Sequence, residues 1–435
     1  MSVVTVVEHE VIPVVACLAH ADQKAFTVKE VDGLLAIGAR LGVCVAQYVA
    51  RDRVKVQQFV GLAHLGGRDI EFLPKIESQT GDAPTSLVRH NLLRMLLVAL
   101  DVEVHVPGQA DATLSDASWL DAFIRVFCLE LAEQVRRGLT RRYRTDEDDL
   151  AALRGRLVVD DQLRRNFIHR ERIACEFDEL DDDHLLNQVF KAVLTRMALC
   201  ARSMPTQRLV RELALGFEGV STPSLSGGWW RKVKLDRLSA RFTHSLRMAQ
   251  MFLDGASPDV SQGSAQSFAL LFDMNDLFEK FVGRELRRSL SAHGLRVHLQ
   301  HARHHLMWDP ANAVNLFSLR PDIVVFSDQQ AICIADTKWK RLVAEERKLG
   351  VQQGDLYQML AYADRYNCDS ILLVYPYRSA DGQHGSAQRL LRYQGRNTAV
   401  LVGQLALGDL DTVGAQLEAM FARVAAPLHV VSDLG

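Results

Sequence analysis

Cysteine is sparse and scattered in this chain: Cys17, Cys44, Cys128, Cys175, Cys200, Cys333 and Cys368 make an odd number, and no two form a CxxC pair. That spacing argues against zinc ligands and against a disulfide framework, and it reads as reduced, mostly buried thiols of a cytoplasmic protein. No apolar stretch is long enough to cross a bilayer, and Met1-Ser-Val-Val-Thr-Val-Val-Glu8 reaches charge too soon for a signal peptide; no membrane association is expected. A G-x-x-x-x-G-K-[ST] phosphate loop is missing, which excludes nucleotide hydrolysis by that route. Zinc fingers, base-reading modules and internal repeats are missing as well. Charge of one sign is lacking too, the formal net charge being −2. That excludes a globally basic nucleic-acid coat, but local basic surface is enough for DNA binding.

The richest segment runs from Arg320 to Lys340, RPDIVVFSDQQAICIADTKWK. Two apolar strands flank a short polar turn, Ser327 to Gln330. Asp322 opens the first strand, and Asp336 and Lys338 close the second. Residues two apart on a strand share a face, and a hairpin return brings Asp322 beside them. Two carboxylates and an ammonium then converge at one end of a sheet, the PD-(D/E)xK constellation of Mg²⁺-dependent nucleases. Mg²⁺ takes hard oxygen ligands and keeps several waters, so Asp322 and Asp336, with the Thr337 carbonyl, form a suitable ligand set; Mn²⁺ is the alternative cation. Lys338, a compact cation with rotatable donors, can orient an attacking water and touch the phosphate. An isolated Asp-x-Lys triplet more often marks a surface salt bridge on a hairpin, so the surrounding pattern matters.

Three features supply it. Upstream, a helix from about Phe272 carries Phe278, Val282, Leu286 and Leu290 as an apolar stripe, with Glu279 beside it. Alone, Glu279 would read as a solvated helical residue. Downstream, Asp355-Leu-Tyr-Gln-Met-Leu-Ala-Tyr-Ala363 is a second helix with Gln358 and Tyr362 four apart on one face. The Gln-x-x-x-Tyr pattern is similar to the RecB-like branch of these nucleases; the plain alternative is two polar rim residues. Finally, the order is helix, strand, strand with Asp, strand with Asp-x-Lys, helix, then the apolar strand Ser370–Tyr375.

These motifs, RPDIVV…IADTKWK, FDMNDLFEKFV and DLYQMLAYA, resemble McrC, the nuclease subunit of McrBC-type (type IV) modification-dependent restriction systems. VQQFVGLAHLGGRDIEFLPKI (Val56–Ile76), RRGLTRRYRTDEDDLAALRGRL (Arg136–Leu157) and CEFDELDDDHLLNQVFKAVL (Cys175–Leu194) extend the resemblance in blocks over residues 50–377. It implies a Mg²⁺-dependent endodeoxyribonuclease acting on methylcytosine-containing double-stranded DNA. It also implies an McrB-like AAA+ GTPase hexamer as partner, whose GTP hydrolysis the chain would stimulate. Two other readings stay open: a stand-alone RecB-like repair nuclease, and a non-catalytic adaptor that activates a motor.

The expected fold class is α/β, α+β overall, with three regions. Residues 1–145 form a mixed α/β, partner-docking N-terminal domain. Within it, Val28–Val49 reads as helix broken near Gly42, a hairpin turns at Gly66-Gly67, and residues 84–145 read as helical. Residues 146–253 form a mostly helical, DNA-facing middle region, with Arg154, Arg156, Arg164 and Arg165 as its DNA-contact candidates. Residues 265–435 form the nuclease domain, entered through a linker-like stretch at 254–264. The arginines of Arg136–Arg144 read as solvated surface cancelled by the following acids. Asp181–Asp183 read as acidic capping of a helix starting at His184, and His298, His301, His304 and His305 as a polar loop. The last residues read as a short helix, Asp411–Val424, with a frayed end.

Overall fold

The computed structural model describes residues 3–20, 23–78, 81–82, 84–101, 119–223, 228–255, 268–340, 342, 350–377, 388–395 and 398–425. They fall into two compact units, one of residues 1–119 with 259–435, the other of residues 120–258. The N-terminal and nuclease regions, expected as separate domains, therefore share one unit, and the division expected after residue 145 lies near residue 119.

A four-stranded sheet makes the junction. Its order is Val3–Val7, Arg68–Leu73, Phe59–Leu65, Phe268–Asp273. The hairpin forms where Gly66 and Gly67 allow it: both have positive φ, 59° and 81°, as a two-residue turn of the favoured hand requires. Phe268–Asp273 pairs antiparallel with Phe59–Leu65 along six residues, from Phe268 opposite His64 to Asp273 opposite Phe59. Most of the linker-like stretch at 254–264 lies outside the described residues, but the strand after it completes the N-terminal sheet. Helix Val28–Leu41 starts in a capping box of Thr27 and Glu30 and stops at Gly42, which adopts φ 69°. Beyond Gly42 the chain turns into the strand Ala46–Ala50, not more helix. Two ion pairs brace this region: the buried Arg68 with Glu30, and the half-buried Arg89 bidentate on buried Glu71. Each guanidinium leaves its carboxylate paired, without which burial would be costly.

The second sheet of the unit has six strands in the order Arg296–Leu299, Ile323–Ser327, Gln330–Thr337, Ser370–Pro376, Ala399–Leu405, Gln388–Arg392. The middle three run parallel, and the outer pairings are antiparallel. Val324, Ile334, Ile371 and Leu373 of one face pack against Met359, Tyr362 and Ala363 of the helix Gln353–Tyr366. Helices Met274–Ser291 and Val413–Ala425 pack on each other and on the strands. The order of elements expected around the Asp-x-Lys strand is present, with an added two-stranded hairpin, His304–Asp309 and Val314–Leu319. The chain end differs from expectation. Ala399–Leu405 is an inner strand buried along its length, and only then does the helix Val413–Ala425 follow; residues 426–435 lie outside the described residues. Among the described residues, no helix is long and apolar enough to cross a membrane.

The unit of residues 120–258 carries more helix than strand, in keeping with the mostly helical reading of residues 146–253, but strands were not expected in it. It contains a three-stranded antiparallel sheet in which Ile173–Asp181 lies between Arg142–Leu150 and Arg156–Leu157. Charge pairing, in place of apolar alternation, runs along these strands. Arg144 meets Asp146 at 2.8 Å and Asp181 at 2.7 Å, and Arg142 meets Asp236 at 3.3 Å. Arg136 and Arg137 both reach Glu133, so the acids that pair with the arginine-rich stretch are mostly not the following run expected to cancel it, of which only Asp146 takes part. Three of the four DNA-contact candidates are engaged in the same way: Arg154 with Glu179, Arg156 with Glu176, Arg165 with Asp161. The acidic run does not cap the helix Leu185–Cys200, whose N-cap His184 makes no side-chain capping bond. Asp183 instead accepts from Ser221 and Gln188, fastening a loop. Phe190 between Phe217 and Phe242 marks the core of this unit.

The junction strand gives a direct test. Gly61 has φ 133°, and a Cβ there would stand 2.0 Å from the Leu270 carbonyl oxygen on Phe268–Asp273. Gly61→Ala should cost about 2–4 kcal/mol of stability. Gly67→Ala, with φ 81° but nothing within 4 Å, should cost about 1 kcal/mol. Chemical denaturation of both variants checks the ordering; equal losses would show that the close approach of the two strands is unimportant.

Candidate active site

Asp322 immediately precedes the strand Ile323–Ser327, and Asp336 lies near the end of Gln330–Thr337. Ile323 pairs with Ala335, so one step along the antiparallel ladder Asp322 stands across from Asp336. The return is tight because Asp328 accepts positive φ, 51°, in the turn. Asp336 shares its face with Ile334, which packs under the helix Gln353–Tyr366. The Lys338 N–H donates to Val374 O at 3.0 Å, which carries the parallel ladder past Thr337 and brings Lys338 level with Tyr375.

The sequence-derived residues meet here. Thr337 donates its backbone N–H (3.1 Å) and its hydroxyl (3.4 Å) to Asp322 Oδ2. Lys338 Nζ stands 2.6 Å from Asp336 Oδ2, an ion pair within the sheet end. Burial, then the Glu279 charge, pushes the Asp322 carboxyl up to about 6. Burial, then Asp322 itself, pushes Asp336 up to about 6. For Lys338, burial works against the charge, but Asp336, Asp322 and Asp355 outweigh it and hold the ammonium above its ordinary value.

Glu279 on the helix Met274–Ser291 is half-buried, and burial raises its pKa. It accepts a hydrogen bond from the Gln300 side chain, and the Gln300 N–H donates to Asp322 O at 2.8 Å. Gln300 thus ties Glu279 to the start of the Asp322 strand. Gln358 is placed differently from the other candidates: it is exposed and donates to the Tyr362 hydroxyl at 2.7 Å. The Gln-x-x-x-Tyr pair is formed, but it does not bond to the carboxylates.

Asp355 and Tyr375, like Gln300, were not singled out from the sequence. Among the described residues Asp355 Oδ2 is buried with no hydrogen-bond partner, and Lys340 Nζ lies 4.0 Å from it. The Tyr375 hydroxyl is buried and equally unpartnered, and burial, then Asp355 and Asp336, raises its pKa. Asp355 sits in a first helical turn, where an acid ordinarily needs no explanation beyond the helix dipole. Tyr375 hides in an apolar run. Only folding puts both beside Asp336.

The donor set suits a hard divalent cation. Its atoms are oxygens, its charge is strongly negative around one ammonium, and its two central carboxylates are held raised for want of compensation. Among the described residues no group of three or more His, Cys, Asp or Glu is arranged to hold a metal ion. A cation here would rest on two carboxylates, a carbonyl and water, as Mg²⁺ commonly does. The histidines form no such site. His298 and His301 pack edge-on against Phe326, and His301 and His304 lie against Tyr366. Burial lowers the pKa of His298, His301 and His304, so this is an aromatic cluster, not a polar loop.

Four resemblances bear on the site. The family model for the McrBC 5-methylcytosine restriction system component matches residues 54–376, a span that includes every site residue named above. A curated relative, the type IV methyl-directed restriction enzyme EcoKMcrBC of Escherichia coli strain K12, is 21% identical over 267 residues, 57% of this chain and 74% of the relative. Among solved structures, a half-complex from a tetradecameric assembly of Thermococcus gammatolerans McrB AAA+ hexamers with bound McrC aligns with a TM-score of 0.66 at 20% identity. That alignment covers 97% of this chain and 100% of the matched one. A chain of the Thermococcus gammatolerans McrBC complex aligns with a TM-score of 0.51 at 23% identity, covering 66% and 88%. At these identities the structural likeness is one of fold.

The raised carboxyls predict a pH effect on the metal-free protein. A carboxyl whose folded pKa lies above its ordinary value contributes stability that is present below about pH 4 and lost as pH rises through about 6. Asp322→Asn removes that loss while keeping an oxygen for Thr337. With chelator present at pH 8, Asp322→Asn should be more stable than the wild type by on the order of 1–3 kcal/mol, and the gap should close near pH 4. Thermal melts across pH check this; a less stable variant at pH 8 would contradict it.

Proposed function

Because the chain belongs to the family of McrBC 5-methylcytosine restriction system components, we propose that it is the nuclease subunit of such a system, an endodeoxyribonuclease with a PD-(D/E)xK core. The convergence of Asp322, Asp336 and Lys338 at the ends of paired strands carries this reading. Asp322, Asp336 and the Thr337 carbonyl would hold Mg²⁺, or Mn²⁺ in its place. When bound, that ion would acidify a water and offset charge on the scissile phosphate.

The remaining roles belong to the chain itself. Thr337 fixes the rotamer of Asp322 through two hydrogen bonds, so the carboxylate enters the reaction already oriented. Lys338, kept charged by the surrounding acids, presents rotatable N–H donors to the attacking water and to a phosphate oxygen. Gln300 holds Glu279 against the Asp322 strand, and Glu279 strengthens the local negative field that recruits the cation. The exposed Gln358, steadied by Tyr362, is free to meet the DNA backbone. Since the chain lacks a motor and a base-reading module, we assign both to an McrB-like AAA+ GTPase hexamer, in line with the assembly named for the Thermococcus relative. The chain would dock on that hexamer, stimulate its GTP hydrolysis and cut methylcytosine-containing double-stranded DNA.

Cleavage assays with the GTPase partner test these roles. Asp322→Ala and Asp336→Ala should abolish cutting, and Lys338→Ala should lose most activity yet keep metal binding by calorimetry. Gln358→Ala should slow cutting by about 10–100-fold. Asp336→Ala should still stimulate GTP turnover, because its change is confined to the nuclease site. Undiminished nicking by Asp336→Ala would refute the site, and efficient cleavage by the purified chain alone would favour a stand-alone repair nuclease.

A further inference from the structure

Lys338 is followed by Trp339, and that tryptophan is anchored from the far end of the sequence. Its indole Nε1 donates to Glu8 Oε2 at 2.7 Å, across 331 residues of chain. Both side chains are buried, each only 3% exposed. Glu8 has little freedom of its own. It sits in the turn after the strand Val3–Val7, its N–H donates to Leu73 O at 3.0 Å, and its Oε1 accepts from the Lys75 N–H at 3.0 Å. On its other side Trp339 meets Phe278 edge to face, with ring centroids 5.2 Å apart, and Phe278 precedes Glu279. The Lys340 N–H closes back on Lys338 O at 2.9 Å, so an indole held in place restrains the short turn that presents the Lys338 ammonium.

We propose that Glu8 is a positioning residue of the nuclease site, acting through Trp339 on Lys338. The N-terminal sheet then holds the site at two points. It is covalently continuous with the Glu279 helix through Phe268–Asp273, and it is hydrogen-bonded to the Lys338 turn through Glu8. A disturbance of the Val3–Val7 turn, where Glu8 lies, would reach the catalytic ammonium by this bond. The inference rests on the nuclease reading for its effect on cutting, but the restraint itself can be measured without cleavage.

The test uses the full-length chain in three forms: Trp339→Phe, which keeps a ring against Phe278 and removes the donor; Glu8→Ala; and Glu8→Gln, which keeps an acceptor oxygen. Hydrogen–deuterium exchange on the metal-free protein should be faster by about 10-fold at the Lys338 and Trp339 amides in Trp339→Phe and Glu8→Ala, with smaller change in Glu8→Gln and none in Ser370–Pro376. In cleavage assays with the GTPase partner, kcat should fall by about 10-fold with KM for DNA unchanged. The Glu8→Ala, Trp339→Phe double variant should be no worse than either single one. Unchanged exchange in Trp339→Phe overturns the link and leaves the nuclease reading standing. Wild-type chain that never cuts overturns the nuclease reading, and the exchange result then decides the link alone. Should Glu8→Ala fail to fold, Trp339→Phe and Glu8→Gln give the same decision.

Discussion

Asp322 and Asp336 face each other across a strand pair in a place where water is largely excluded, and that repulsion organises the structure around them. Like charges held close where water is excluded repel more strongly than they would in water. Glu279 and Asp355 add to the same field. Against this stand the Lys338 ammonium, the Thr337 N–H and hydroxyl, and a proton that the carboxyls keep well above their ordinary range. A fold that wanted only stability would place apolar residues here. A negative pocket at the mouth of a sheet, with oxygen donors and one fixed ammonium, is what a divalent cation and a phosphodiester together require.

The surrounding architecture makes that arrangement rigid. Central strands buried on both faces hold the backbone at Asp336 and Lys338, and the helix Gln353–Tyr366 closes one face. The N-terminal sheet is part of the same frame, because Phe268–Asp273 is both its edge strand and the lead-in to the Glu279 helix. The Met274 N–H donating to Gln58 O at 3.0 Å pins that transition. Glu8 adds a second attachment at Trp339. A charge-assisted hydrogen bond of this type is worth about 1.5–3 kcal/mol, enough to bias the geometry of a short turn.

Much of the site was legible because its signals are local. The Asp-x-Lys spacing places both side chains on one face, the polar turn at Asp328 separates two short apolar runs, and the strands Ile323–Ser327 and Gln330–Thr337 lie where those runs put them. Gly66-Gly67 announced its hairpin for an equally local reason. What was not legible depends on partners distant in sequence. Arg142–Leu150 carries no apolar alternation, and only its nine-residue antiparallel pairing with Ile173–Asp181 makes it a strand. Ala399–Leu405 is buried on both faces, so it shows no periodicity to distinguish it from other apolar runs. Asp355 and Gln300 gain meaning only beside Lys338 and Glu279. The composition of 254–264 suggested a boundary between domains; the pairing of Phe268–Asp273 with Phe59–Leu65 could not be read from it.

The claim on which the rest depends is that Asp322 and Asp336 form one divalent-cation site beside Lys338. The most direct measurement is an anomalous difference map from crystals of the full chain soaked in Mn²⁺. The account predicts a peak about 2.0–2.2 Å from one oxygen of each carboxylate, with Lys338 adjacent and no such peak in Asp336→Asn crystals. A strong peak elsewhere, or none at a saturating Mn²⁺ concentration, would contradict it.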